Sequence, residues 1–176
     1  MKQIALLLIT TLLIFGCKKT TPKIDTSVAL SERILGHWNI TDVEFSGVVP
    51  NQSTGQSIPF SGTGKNVSGE FNFQKNPNIG EFQVSFLAEI DLGLPQPLAL
   101  TFDEGHSGNW TTIENDQYVR MWSGNDTIYD PGTDTLYDWK VLTNLENEQK
   151  WLASFKFEFG FPYDSIPVDI IATIKR

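Results

Sequence analysis

The sequence predicts an all-β domain, an up-and-down antiparallel meander of about eight strands closed into a barrel. Three observations carry that expectation. From Ile34 onward apolar and polar residues alternate with period two. Clusters of Gly, Pro, Asn and Asp punctuate the alternating rows at hairpin spacing. No stretch of the same region carries an amphipathic helical stripe of useful length.

Taken in chain order, the first segment is not part of that domain. Lys2 precedes an apolar run from Ile4 to Phe15, followed by Gly16 and Cys17. A basic start, a short apolar run and a small residue at the cut site make a secretory signal, and the run falls short of the ~20 residues a bilayer-spanning helix needs. Ile14-Phe15-Gly16-Cys17 resembles the lipobox of bacterial lipoproteins, with a bulkier residue than usual at Phe15. The resemblance implies a signal peptide over 1–16, lipidation at Cys17 and attachment to the outer membrane, facing the periplasm rather than the cell exterior. Lys18-Lys19 follow the cysteine, so the Asp that marks inner-membrane retention is missing. Cys17 is the single cysteine, which leaves no thiol for a disulfide, a metal or catalysis. Residues 17–31 are polar, contain Pro22 and read as a flexible tether, with a helical turn expected near Leu30 to Leu35, capped by Ser31.

The barrel is expected over 32–176. Its first strand opens Leu35-Gly36-His37-Trp38 and continues through Ile40, Val43 and Phe45, whose parity change between Ile40 and Val43 predicts a bulge. A long Gly/Ser/Pro-rich stretch, Pro50 to Asn66, is expected to be a lid or a disordered loop. Strands follow at Val67 to Phe73, Glu81 to Ile90, Leu98 to Phe102, Trp110 to Ile113, Tyr118 to Trp122, Leu136 to Leu145, Trp151 to Phe159 and along the row Ile166 to Ile174. Glu104-Gly105-His106-Ser107-Gly108 reads as one of the turns.

Gly36-His37-Trp38 resembles the Gly-X-Trp motif that begins the first strand of lipocalins and of bacterial lipocalin-like lipoproteins. Trp139 to Leu145 with Trp151-Leu152 is similar to a late hairpin of those lipoproteins, and Gly108-Asn109-Trp110 before Tyr118 to a middle one. The likeness implies that Gly36 eases entry into the strand and that the Trp38 indole plugs one end of the barrel. It also implies a basic residue from the last strand over that indole, for which Lys175 and Arg176 are the candidates.

The functional signal is aromatic: 12 Phe, five Trp and four Tyr, with Phe71, Phe73, Phe82, Phe86, Phe155 and Phe157 in rows that converge if the strands close. Such rows either fill an eight-stranded barrel or line a cavity for one small apolar ligand. Tyr118 and Arg120 would supply polar anchors if they point inward; the alternative places Val119 and Met121 in the core and Arg120 in water. The other reading of the whole is a filled barrel that contacts another envelope protein. No Gly-X-Ser-X-Gly elbow is present, His37 should face solvent and His106 lies in a Gly-rich turn, so no enzyme, cofactor or metal is expected. Asp126, Asp130, Asp134 and Asp138 make an acidic hairpin that lacks the calcium-loop consensus. With 21 Asp+Glu against 13 Lys+Arg the chain should avoid nucleic acid, and its expected partners are the membrane, through the anchor, and a small hydrophobic ligand, with the protein a monomer.

Overall fold

The computed structural model describes residues 23–50, 56–93, 95–123, 135–158 and 165–176. The signal peptide, Cys17 and the acidic positions Asp126, Asp130 and Asp134 lie outside them. The expected class holds: the chain forms an antiparallel meander closed into a lipocalin-like barrel.

After a two-residue strand β1 (Lys23–Ile24) and a single helical turn α1 (Leu30–Arg33), nine strands follow. They are β2 (Gly36–Pro50), β3 (Ser57–Thr63), β4 (Lys65–Phe73), β5 (Ile79–Ile90), β6 (Leu98–Ile113), β7 (Tyr118–Trp122), β8 (Leu136–Asn144), β9 (Glu148–Glu158) and β10 (Ser165–Lys175). β4 through β10 pair in sequence order, and β10 pairs with β2, which pairs with β4. That closes a ring of eight strands and leaves no free edge around the closed half. β3 continues the line of β4 and lies along the second half of β2, from Glu44 against Thr63 to Pro50 against Ser57. The expected bulge exists: the β2–β10 register slips between Thr173 and Ile174, opposite Asp42 and Ile40.

Three expectations need correction. Pro50 to Asn66 is not a lid, because Ser57–Thr63 is a strand of a hairpin with β2; residues 51–55 lie outside the described part. Glu104 to Gly108 is not a turn, because one unbroken strand runs from Leu98 to Ile113. Its glycines serve close approach: a Cβ at Gly108 would collide with the Trp122 carbonyl, and one at Gly105 with the Gln83 side chain. Part of the stretch expected as a tether is ordered, since β1 pairs in parallel with β8 and Asp25 bridges Arg33 at 2.8 Å.

The two ends of the barrel differ. At one end the connections β4–β5, β6–β7 and β8–β9 are short, and α1 lies across with Leu30 and Ile34 fully buried. Its cap is not Ser31. The Leu30 amide donates to Asp116 Oδ2 at 3.0 Å, from the β6–β7 connection, which ties the helical turn to the wall. Trp38 is completely buried, and its indole N–H donates to the Ile34 carbonyl at 2.8 Å. The Arg176 guanidinium stacks 4.5 Å above the same ring and donates to the carbonyls of Arg33 and Leu35, each at 2.7 Å. Arg176 is therefore the basic residue over the motif tryptophan. At the opposite end the four connections run over 51–56, 91–97, 123–135 and 159–164.

Trp38→Ala should destabilise the protein by about 3–5 kcal/mol, as truncation of a buried aromatic does. Arg176→Ala should cost about 1–2 kcal/mol through loss of the stacked cation and its carbonyl bonds. Urea unfolding followed by tryptophan fluorescence checks both, and an unchanged midpoint for either contradicts the clamp.

Candidate functional site: the open end of the barrel

Inside the barrel the aromatic rows form one column, packed unequally along its length. In the closed half Phe71 sits edge-on to Trp139 and Trp151, each at 5.0 Å, and Phe73 edge-on to Trp110 at 5.4 Å. Edge-to-face geometry brings positive ring edges onto negative faces and is favourable beyond burial alone. Two of these indoles find partners close by, Trp110 donating to the Gln74 carbonyl and Trp151 to Gln149 Oε1 at 2.8 and 2.9 Å, whereas the buried Trp139 Nε1 has none among the described residues. Phe71 and Phe73 are thus core of the closed half, with 0–1% of their surface exposed.

Towards the open end the column becomes phenylalanine only. Phe86 packs on Phe45 and Phe102, and Phe102 stacks on Phe157 at 4.9 Å and meets Phe155 edge-on at 5.1 Å. Exposure rises to 5–7% at Phe102, Phe155 and Phe157. Here the wall is also less continuous. β6 pairs with β7 only over Asn109 to Ile113, so among the described residues 98–108 have only β5 beside them. Where β6 leaves β7, three polar side chains come together on the inner face.

They are Glu104, His106 and Tyr137. Alternation on β6 turns Phe102, Glu104, His106 and Trp110 inward, opposite Phe86, Val84 and Phe82 of β5. Tyr137 lies opposite Met121 and on the same face. The His106 and Tyr137 rings are 4.8 Å apart, and Phe82 stands edge-on to Tyr137 at 5.1 Å. His106 Nε2 is buried without a hydrogen-bond partner among the described residues. Burial pushes the His106 imidazole below its usual value near 6.5, with the Trp122 backbone opposing. Burial also pushes the Tyr137 phenol above 10.0, and the Glu104 charge adds to it.

The expected polar anchors are elsewhere. Val119 and Met121 are fully buried, whereas Arg120 lies on the outer face, in a two-point pair with Asp138 at 2.8 and 2.6 Å. Tyr118 shares that outer face and lies beneath Lys140. The inward reading of Tyr118 and Arg120 is therefore corrected: two-residue alternation admits either face, and the core took the purely apolar pair. Asp138 belongs to this pair, and among the described residues no three His, Cys, Asp or Glu side chains gather as metal ligands. His37 is exposed, 3.6 Å from Glu70. A groove of about 760 Å³ over the β2–β3 hairpin is lined by Phe60, Pro167 and Asp169.

Sequence reasoning missed Glu104 and His106 because glycines on either side disguised a strand as a turn. Their spacing with Phe102 at two-residue intervals was the available signal.

No protein-family model matches the chain, and no curated protein matches it in sequence. Among solved structures, the chain is similar to an S-type phycobiliprotein lyase from Guillardia theta, at 10% identity and a TM-score of 0.38. The match covers 85% of this chain and 93% of that one. The expectation that the chain is not an enzyme is corrected on this finding, since the similar structure is that of a lyase. A likeness this distant assigns no reaction to the present chain.

The His106 shift sets a pH dependence. Because the folded imidazole binds its proton less tightly than the unfolded one, stability is full above about 6.5 and falls as pH drops through the folded value. Urea midpoints of the unmodified protein should decline from pH 7 to pH 5 more steeply than those of His106→Gln. Equal slopes would contradict the assigned burial.

Proposed function

We propose that the chain is a lipid-anchored envelope protein whose barrel holds a small apolar guest at its open end. The observation that carries this reading is the inequality of the two ends. One is sealed by α1, Trp38 and Arg176, while the other is lined by Phe86, Phe102, Phe155 and Phe157 beside the half-buried Tyr137. Ligand sites favour apolar concavities with a few polar groups to orient the guest. The guest would rest against the upper rings and displace or rotate them, leaving Phe71, Phe73 and the tryptophans in place. Phe82 belongs to the boundary, touching both Trp139 and Tyr137.

The lipobox-like Ile14 to Cys17 supports the anchor, and the path of the chain gives it an orientation. Six residue steps from Cys17 to Lys23 span at most about 20 Å. Since β1 lies beside β8 at Thr143 and Asn144, the sealed end would face the membrane and the open end the aqueous space.

A second reading, a filled barrel that contacts another envelope protein, is favoured by the tight packing of the column itself. Displacement of a bound neutral dye, N-phenylnaphthylamine, from the full chain by apolar compounds separates the two. Micromolar binding weakened at least tenfold by Phe102→Ala, but not by Phe71→Leu, is expected. No binding by the unmodified chain would leave the filled barrel as the better account. In cells, Cys17→Ser should abolish incorporation of labelled fatty acid; retained labelling would remove the anchor.

A further inference from the structure

Among the described residues the exposed large apolar side chains are Ile24, Val28, Val48 and Leu145. Scattered singly, such residues need no explanation; gathered, they mark a contact surface. All but Val48 belong to the sealed end. Ile24 of β1 lies beside Asn144, which brings it next to Leu145, and Val28 rims a hollow of about 350 Å³ with Asp25, Arg33, Glu146 and Arg176. The hairpin connections of this end, 74–78, 114–117 and 145–147, are all described, and they leave these side chains 36–46% exposed.

The charges around them are matched within the protein. Asp25 holds Arg33 at 2.8 Å, Glu148 holds Lys175 at 2.9 Å, and Glu32 pairs with Lys75. Arg176 is engaged by the Trp38 ring and two carbonyls. Aliphatic side chains set among paired charges suit a neighbour that is apolar beneath and polar at its boundary.

The path of the chain says which neighbour that is. Between Cys17 and Lys23 the chain spans at most about 20 Å, whereas β2 alone runs 15 residues from the sealed end to the open one. That is about 45 Å of strand, or about 35 Å along the axis of a barrel with the usual tilt. Acyl chains on Cys17 therefore reach a bilayer under the sealed end but not one over the open end. The flank beside β1 presents Lys140 and the Arg120–Asp138 pair, so a barrel lying on that side would set charge, not aliphatic surface, against lipid.

We propose that the sealed end is a membrane-contact face: Ile24, Val28 and Leu145 enter the interfacial layer of the bilayer that holds the anchor and stand the barrel upright. This rests on the anchored reading above and adds to it the surface that touches lipid. A short tether supplies a high effective concentration, so part-exposed side chains orient a barrel that they would not hold on a membrane by themselves.

The test uses the acylated full chain on phosphatidylcholine vesicles, with a tryptophan introduced as Leu145→Trp or as Val48→Trp. Both positions are exposed and carry the same indole, so only their placement differs. Relative to the unmodified protein, the added emission of Leu145→Trp should fall about twofold or more when the lipid chains are brominated near the head group, because an interfacial side chain lies within reach of that layer. Val48→Trp, on the distant half of β2, should show no added quenching. Ile24→Asp with Val28→Asp in the Leu145→Trp chain should remove the quenching while the protein still floats with the vesicles. No added quenching at Leu145→Trp, whether it faces water or a second copy, overturns the inference. Equal quenching at Val48→Trp, or quenching that survives the two Asp substitutions, does so too. In each of these cases flotation with the vesicles keeps the anchored reading, whereas an unmodified chain that carries no lipid and does not float overturns both.

Discussion

The seam between β2 and β10 joins Asn39 to Lys175 and Gly47 to Val168, segments separated by most of the chain. Without it the meander would be an open sheet with two exposed edges and an aromatic face in water. With it the same rows turn inward and bury one another. The Trp38 clamp belongs to this seam: the indole rises from β2, its N–H is held by Ile34, and Arg176 reaches it from the end of β10. A cation from the last residue and an indole from the first long strand thus fasten the ring where it closes. Contacts this distant in sequence also make closure late and slow relative to hairpin formation.

Closure explains why the interior is uneven. Short connections at the sealed end hold the strands in register down to their tips, so four indoles and Phe71 and Phe73 pack without exposed surface beyond about 2%. At the other end β7 is described to Trp122 while β6 runs back to Leu98, so among the described residues 98–108 pair with β5 alone. Glu104, His106 and Tyr137 lie on the inner face beside that stretch and are the half-buried polar side chains of the column.

Most of the fold was legible because period two survives in single sequences: the Phe82 to Ile90 row and the Trp151 to Phe157 row are buried as alternation demands. The Ile40–Val43 bulge was legible for the same reason. What was not legible turns on two ambiguities. Glycine marks both turns and places where backbone approaches backbone, and Gly105 and Gly108 are the second kind, which hid half of β6. Alternation fixes which residues share a face but not which face is inside. In Tyr118 to Trp122 aromatic residues occupy one parity and Val119 and Met121 the other, so the residues alone left both orientations of Arg120 open. Ser57–Thr63 was hidden by composition, since Ser, Pro and Gly are poor strand formers and it is the pairing with β2 that holds them extended. Charge partners distant in sequence, such as Asp116 for the Leu30 amide, leave no local trace at all.

On the proposed function, the sealed half opens only when the whole protein unfolds, whereas the half around Phe102 and Phe155 yields locally to admit a guest. Native-state amide hydrogen exchange measures that division residue by residue. Amides of 37–45, 70–73, 149–153 and 169–175 should exchange with the free energy of global unfolding, while those of 99–107 and 154–157 should exchange through smaller openings that respond weakly to denaturant. Equal protection of both halves, each tracking global unfolding, would contradict the division and with it the open end as the place where this protein does its work.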